Sequence, residues 1–255
     1  MSVDTADQLA CLKAAGYAVA KTLGLMRSYA RPGMSTLELD EYGRGVLESF
    51  GARSAPQHDY GFPGCTCISL NHEVCHGIPS ADKVLREGDL VNIDVSAMLN
   101  GYYSDNGGSF VLGADRQELG SLVQESEKIL ALAIGQVRDR MRIAELGGFI
   151  AQQANSKGFR VIRNLCGHGI GRRLHEDPQE IPCFRDRYNR ERLRKGSVIA
   201  LETFISTRAN MAETTEDGWT MIAQGGGFVA QHEHTLVVTE EAPIVLTAAN
   251  GIAYR

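Results

Sequence analysis

The stretch VNIDVSAMLNGYYSDNGGSF, residues 91–110, constrains the fold more than any other part of the chain. Val91, Ile93 and Val95 alternate with polar residues, the period of a strand with one buried face. Asn100-Gly101 is a strong two-residue turn signal, because both central positions of a type I′ turn need positive φ. With that turn, Leu99 pairs with Tyr102, Ser96 lies opposite Asp105 and Asp94 lies opposite Gly107. Asp94 and Asp105 then share one face as diagonal neighbours, about 7–8 Å apart at the backbone. Two like charges that close on a partly buried face repel and lose hydration. Either one is protonated or cations sit between them. A solvent-facing hairpin whose acids point into water is the alternative.

The chain of 255 residues can bury a large core, and its 43% hydrophobic and 22% charged content is ordinary for a globular protein. A formal net charge of −5 without a run of basic residues argues against a nucleic-acid footprint and a polybasic membrane patch. No apolar stretch reads as a membrane span, and MSVDTADQLACLKAAG lacks a basic-then-apolar signal pattern, so the expected location is the cytoplasm. Cys11, Cys65, Cys67, Cys75, Cys166 and Cys183 form no C-x-x-C pair. They read as reduced thiols, mostly small core residues.

Leu9, Leu12, Gly16, Val19, Leu23 and Met26 follow the spacing of one face of a long first helix, stopped near Arg31-Pro32-Gly33. Ser35-Thr36-Leu37-Glu38 is a capping-box pattern opening a second helix, which Gly51 is placed to end. Strands and loops are expected over 52–112, then a helical pair over 115–157 with Gly158 as its stop. FRVIRNL, SVIALETF and HTLVVT read as strands. RPGMSTLELDEYGRGVLESFGAR (31–53) aligns without a gap on RDRMRIAELGGFIAQQANSKGFR (138–160), matching Met34 with Met141, Leu39 with Leu146, Gly51 with Gly158 and Arg53 with Arg160. Two related α+β halves facing each other would form a cleft, a common ligand site.

LCGHGIGRRLHEDP (165–178) holds His168 and His175 among glycines that disfavour a helix, so a loop that permits close backbone approach is expected there. In SVIALETF, Glu202 shares a face with Val198, Ala200 and Phe204, where an ionised glutamate is costly unless paired or metal-bound. In QHEHTLVVT, Glu233 stands at the head of an apolar strand. Asp94, Asp105, His168, Glu202 and Glu233 make four carboxylates and one imidazole, too many anions for one divalent ion but suited to two adjacent ones. Hard oxygen ligands without a thiolate favour manganese, iron(II), cobalt or zinc. No P-loop or G-x-G-x-x-G follows a strand, which removes a nucleotide-binding reading.

These five residues, in this order and with their flanks, resemble the metal ligands of the type I methionine aminopeptidase family. The matching segments are CISLNHEVCHGIP (67–79), GDLVNIDV (88–95), GYYSDNGGSF (101–110), CGHGIGRRLHEDP (166–178), ALETF (200–204), DGW (217–219) and QHEHT (231–235). The resemblance spans nearly the whole chain. It implies an α+β pita-bread fold of two pseudo-symmetric α/β halves, a central antiparallel sheet and a dinuclear metal cleft. The domain expected is a single catalytic one over 1–255, with halves of about 1–113 and 114–255.

By the same resemblance, Asp105 and Glu233 bridge two metals, Asp94 completes one, and His168 with Glu202 completes the other. A bridging hydroxide attacks the first peptide carbonyl, and Glu202 helps move its proton. His76 contacts the scissile amide and His175 the developing oxyanion. Phe62, Cys67 and Trp219 match positions lining a methionine side-chain pocket. The implied substrates and partners are nascent polypeptide N-termini carrying the initiator methionine, with the ribosome surface as a candidate partner and a monomer as the expected state. The chain departs from the family pattern at Asp59, Leu174, Thr203 and Asn106-Gly107-Gly108, none of which removes a ligand. The competing readings are a same-fold peptidase with another N-terminal substrate and a non-catalytic pita-bread binding protein.

Overall fold

The computed structural model describes residues 1–254. In chain order the elements begin with α1 (Ala6–Tyr29), α2 (Thr36–Ser49), β1 (Arg53–Ser54), α3 (Ala55–Tyr60), β2 (Cys67–Leu70), β3 (Glu73–Cys75), β4 (Leu90–Leu99) and β5 (Tyr102–Val111). They continue with α4 (Gly120–Ile134), α5 (Ile143–Ser156), β6 (Arg160–Val161), β7 (Cys166–Gly169), β8 (Glu176–Pro182), β9 (Val198–Ser206), β10 (Ala212–Thr214), β11 (Met221–Ala223), β12 (Val229–Val237) and β13 (Ile244–Val245).

The 91–110 hairpin forms in the expected register. Leu99 pairs with Tyr102, Ser96 with Asp105 and Asp94 with Gly107. Asn100 and Gly101 take φ values of 53° and 76°, the left-handed pair a type I′ turn requires. This hairpin is part of a larger antiparallel sheet whose strand order includes β1-β4-β5-β12-β9-β7-β8. β12 pairs with β9 over their whole length.

One face of the sheet is covered by helices. Val91, Ile93 and Val95 of β4 share a core with Val19, Leu23 and Met26 of α1, while Ile199 and Leu201 of β9 share it with Ile129, Leu130 and Ala133 of α4. Alternation along each strand then sends Asp94 and Glu202 to the other face. α1 is long and apolar enough to cross a membrane by length and composition alone, but half of it is buried inside the protein. Its buried face, including Leu12, Val19, Leu23 and Met26, lies against the sheet. A Cβ on Gly16 would meet the Leu246 carbonyl at 2.6 Å, so glycine permits the helix to approach the C-terminal segment.

The internal repeat has a structural counterpart. α2 and α5 occupy the aligned segments, followed by two-residue strands β1 and β6. The amide of Leu85 donates to the Met34 carbonyl, and that of Leu193 to the Met141 carbonyl. Gly33 donates to Leu85 as Arg140 donates to Leu193. Ser35 closes the expected capping box with Glu38, and Gly51 and Gly158 follow the two helices with φ of 71° and 80°.

Four expectations need correction. The 52–112 region contains a helix, α3, opened by Ser54 accepting the Gln57 amide and preorganised by Pro56 in its first turn. The glycine-rich 165–178 segment is not all loop: β7 and the start of β8 lie within it. A Cβ on Gly167 would sit 2.4 Å from the Ala200 carbonyl, and one on Gly169 2.2 Å from that of Asp177, so glycine serves strand packing. Only Arg160 and Val161 of FRVIRNL form a strand. Glu233 lies in the middle of β12, which begins at Val229, not at a strand head.

Candidate metal centre

Five consecutive strands of the sheet each bring one of the expected ligands to the same cavity: Asp94 from β4, Asp105 from β5, Glu233 from β12, Glu202 from β9 and His168 from β7. Neighbouring strands lie about 4.8 Å apart, so one side chain per strand makes a row of closely spaced groups. Asp105, His168 and Glu233 offer ligand atoms that all lie within 4.8 Å of one another. Glu202 and Glu233 are direct cross-strand partners.

The residues carry the marks of a cation site. One oxygen each of Asp94, Asp105 and Glu233 is buried without a hydrogen-bond partner, a costly state for a carboxylate. Burial, then the charges of Asp105 and Glu202, holds Asp94 well above the usual carboxylate range. Burial likewise raises Asp105. Glu202 is pushed up to about 8 by burial and the Asp105 charge. Burial and the charges of Asp105, Glu202 and Asp94 raise Glu233 well above its ordinary value.

His168 is held neutral by burial. Its Nδ1 lies 3.0 Å from the Gly169 carbonyl, which can only accept, so Nδ1 carries the proton. Nε2 is left with a lone pair 3.9 Å from Asp105 Oδ2. Acceptor faces acceptor across that gap, and a divalent cation satisfies both. The four carboxylates and one imidazole therefore fit hard divalent ions.

Residues outside the sequence-derived set hold these groups in place. The Gln231 amide donates to Glu233 Oε2 at 3.1 Å, while its own oxygen accepts from Asn92 at 2.7 Å. A Cβ on Gly107 would fall 2.3 Å from Gln231 Oε1, so the Asn106-Gly107-Gly108 departure makes room for this amide. Thr235 accepts the Asp105 amide and donates to the Asp105 carbonyl. Gln231, Glu233 and Thr235 are spaced by two along one strand, so strand alternation carried the signal for both helpers.

The row of four carboxylates and one imidazole lines a cavity of about 360 Å³ whose walls include Phe62, Cys67, His76, His175 and Trp219. Phe62 and Trp219 meet edge to face with ring centroids 5.2 Å apart. Cys67 is the register partner of Asp94 on β2. Asp40, buried on α2, accepts the amides of Cys65 and Thr66 and so fixes the approach to Cys67. His76 adopts φ 54°, a strained value for a histidine. The His175 ring lies 4.1 Å from that of His168, and burial with the neighbouring His168 lowers it to about 4. Leu174 is a buried cavity-lining residue, and Thr203 is buried. Asp59 accepts a hydrogen bond from the Tyr103 hydroxyl at 2.9 Å and lies 2.7 Å from His58 Nδ1. Tyr60, absent from the sequence-derived set, also lines the cavity, with its hydroxyl on His175.

Known proteins resemble this chain along nearly its whole length. Residues 10–240 match the profile of metallopeptidase family M24. The chain is 47% identical to methionine aminopeptidase 2 of Bacillus subtilis strain 168, over 97% of this chain and 99% of the relative. It is 34% identical to the methionine aminopeptidase of Escherichia coli K12, over 97% of this chain and 94% of that one. The crystal structure of methionine aminopeptidase from Thermotoga maritima superposes with a TM-score of 0.92 at 33% identity, covering 97% and 99% of the two chains. Prolidase from Pyrococcus furiosus shares the fold, with a TM-score of 0.76 at 23% identity over 96% of this chain and 65% of that one. With a family match along most of its length and close relatives over nearly all of it, the chain belongs to metallopeptidase family M24.

Proposed function

We propose that the protein is a metal-dependent aminopeptidase that removes the initiator methionine from the N-termini of new chains. One observation carries the reading: a row of four carboxylates and one imidazole lies at the base of a cavity walled by Phe62, Cys67 and Trp219. Asp94, Asp105, His168, Glu202 and Glu233 would hold two divalent ions, cobalt, manganese, iron(II) or zinc. When bound, such ions supply Lewis acidity to a reacting carbonyl and positive charge to the floor of the site.

The chain's own groups do the rest. The Phe62–Trp219 edge-to-face pair and the thiol of Cys67 grip an unbranched thioether, which aromatic rings and sulfur suit. Gripping the first side chain places the first peptide bond over the acidic row. Glu202 takes up a proton from the attacking water and returns it to the leaving amine. His76 donates to the scissile amide. His175 donates to the oxygen on which charge develops. The protein acts in the cytoplasm as a monomer on nascent polypeptides, near the ribosome surface, and as one catalytic domain over 1–255.

The test is methionine release from a Met-Ala-Ser peptide by chelator-treated protein, alone and with manganese, cobalt, iron(II) or zinc. Release that needs metal, and that Asp105→Ala abolishes, is the expected result. No release by a folded protein that binds two ions would replace the substrate with another N-terminal residue. A protein that binds no metal would overturn catalysis and leave a binding role.

A further inference from the structure

The Tyr60 hydroxyl lies 2.6 Å from Nδ1 of His175, and the two rings meet at 5.5 Å with a 56° tilt. Tyr60 is the last residue of α3. Gly61, at φ 71°, stops the helix there. Its amide donates back to Gln57 and Pro56 carbonyls, and the next residue out, Phe62, also lines the cavity.

This last turn is tied to the sheet. Asp59 accepts from the hydroxyl of Tyr103 on β5, the strand that carries Asp105. The Tyr103 amide in turn donates to the Gly171 carbonyl, in the segment leading to His175. The Tyr60 hydroxyl is thus delivered to His175 by a helix end whose neighbour is anchored on the same strand as a metal-site carboxylate. His175 itself comes from a different segment, so the contact joins two parts of the wall that otherwise approach independently.

A phenol can donate or accept, and an imidazole nitrogen can do either, so the direction must be argued. Partial burial, then the Asp59 charge, raises the Tyr60 phenol above its ordinary value, so it keeps a proton it can donate. If instead Nδ1 carried the proton, Nε2 would present a lone pair to a cavity whose other polar lining groups include Asp94, Asp105, Glu202 and Glu233. That tautomer would have no proton to give to a reacting oxygen in the cavity.

We propose that Tyr60 is a positioning residue whose hydroxyl donates to His175 Nδ1 and so holds the ring as the Nε2–H tautomer, ready to donate into the cavity. The inference rests on the proposed part of His175 in peptide hydrolysis. It names a residue that acts only through that histidine. No bond to substrate is required of Tyr60. Its effect belongs to the chemical step, since a ring free to exchange tautomers or rotate spends less time as a donor toward the reacting oxygen.

The decisive variant is Tyr60→Phe, which removes one hydroxyl from a side chain that is 49% exposed and so leaves the fold intact. With the metal-loaded protein and Met-Ala-Ser, kcat should fall about 10–100-fold, the range for losing a hydrogen bond that orients a site histidine. KM should stay within about twofold, because Tyr60 makes no bond to substrate and its loss falls on the chemical step. An unchanged kcat, or a loss carried by KM, would overturn the proposal. The second readout needs no turnover: long-range 1H–15N spectra of histidine-labelled, zinc-loaded protein, with His175 assigned through His175→Ala. Wild type should show the Nε2–H pattern, and Tyr60→Phe a mixture of tautomers. A wild-type Nδ1–H pattern would overturn the proposal even in an active enzyme. An inactive wild type with the Nε2–H pattern lost in Tyr60→Phe would sink the hydrolytic reading while upholding the Tyr60 contact.

Discussion

Glu202 of β9 and Glu233 of β12 stand directly opposite each other in the antiparallel register of the central sheet. Like charges at that position destabilise a strand pair, and here Glu233 is buried while Glu202 faces the cavity. Neither carboxylate can ionise freely beside the other without a cation. The pair is therefore the point at which the sheet's stability depends most directly on what fills the site.

That dependence sets a pH window for the metal-free protein. Glu202 has a folded value of about 8, above its ordinary 4.5, and Glu233, Asp94 and Asp105 are raised in the same direction. Between the unfolded and folded values the native state binds more protons than the unfolded state. The stabilisation is fully present below about 4.5 and is lost as pH rises through about 8. The slope is about 1.4 kcal/mol per pH unit for each proton in difference. Urea midpoints of chelator-treated protein should fall from pH 6 to pH 8 and stay nearly level with saturating divalent metal. Metal binding at pH 7 should release protons, read by calorimetry in buffers of different ionisation enthalpy. Equal midpoints in the metal-free series would contradict the raised values.

Asp105→Asn separates holding metal from holding the fold. The Asp105 backbone is fixed by Thr235, through bonds the substitution leaves in place, while one side-chain oxygen has no partner. Removing the charge relieves the cluster in the metal-free state. Thermal melting without metal should therefore occur at the same temperature or higher, while bound metal falls by at least half in elemental analysis and peptidase activity disappears. A variant that melts well below wild type without metal would mean that Asp105 supports the fold in its own right.

Much of this site was legible because the decisive signals are local. Asn100-Gly101 defines the turn, and counting back from it puts Asp94 and Asp105 on one face; the observed register agrees residue for residue. Strand alternation likewise gave Glu202 its face. The misreadings arose where the determinant is distant in sequence. Gly167 and Gly169 read as a loop because glycine is flexible in isolation, yet the carbonyls of Ala200 and Asp177 are what leave no space for a side chain. Helix α3 was missed although Ser54, Pro56 and Gln57 carry its start signals, because six residues show too little periodicity. Tyr60 could not be found by spacing at all, since its partner His175 lies 115 residues away.

Gly167→Ala tests whether strand packing positions His168. The new methyl would collide with the Ala200 carbonyl at 2.4 Å, and backbone cannot swing aside as a side-chain tip can. β7 must then separate from β9 where His168 pairs with Ala200. A loss of about 1–3 kcal/mol in stability is expected for such overpacking, together with metal affinity weakened at least tenfold. Chemical denaturation and metal titration measure the two. Full affinity in a destabilised variant would show that His168 keeps its place without the close strand contact.

The last prediction concerns the pocket for the first side chain. Trp219 is held by a tight turn: Asp217 accepts the amides of Trp219 and Thr220 and the Thr220 hydroxyl. The ring then meets Phe62 edge to face in the cavity wall. Trp219→Ala leaves that turn and the acidic row untouched but removes the aromatic edge. An aromatic pair is worth about 0.5–1.5 kcal/mol beyond its buried area, and a sulfur–aromatic contact a similar amount. KM for Met-Ala-Ser should rise about tenfold while kcat changes less than threefold, because the loss falls on binding and not on the reacting atoms. The vacated space should also admit a bulkier first residue, so the preference for Met-Ala-Ser over Phe-Ala-Ser should narrow. A drop in kcat at constant KM would instead place Trp219 at the chemical step, and would mean that the wall opposite Phe62 does not hold the methionine side chain.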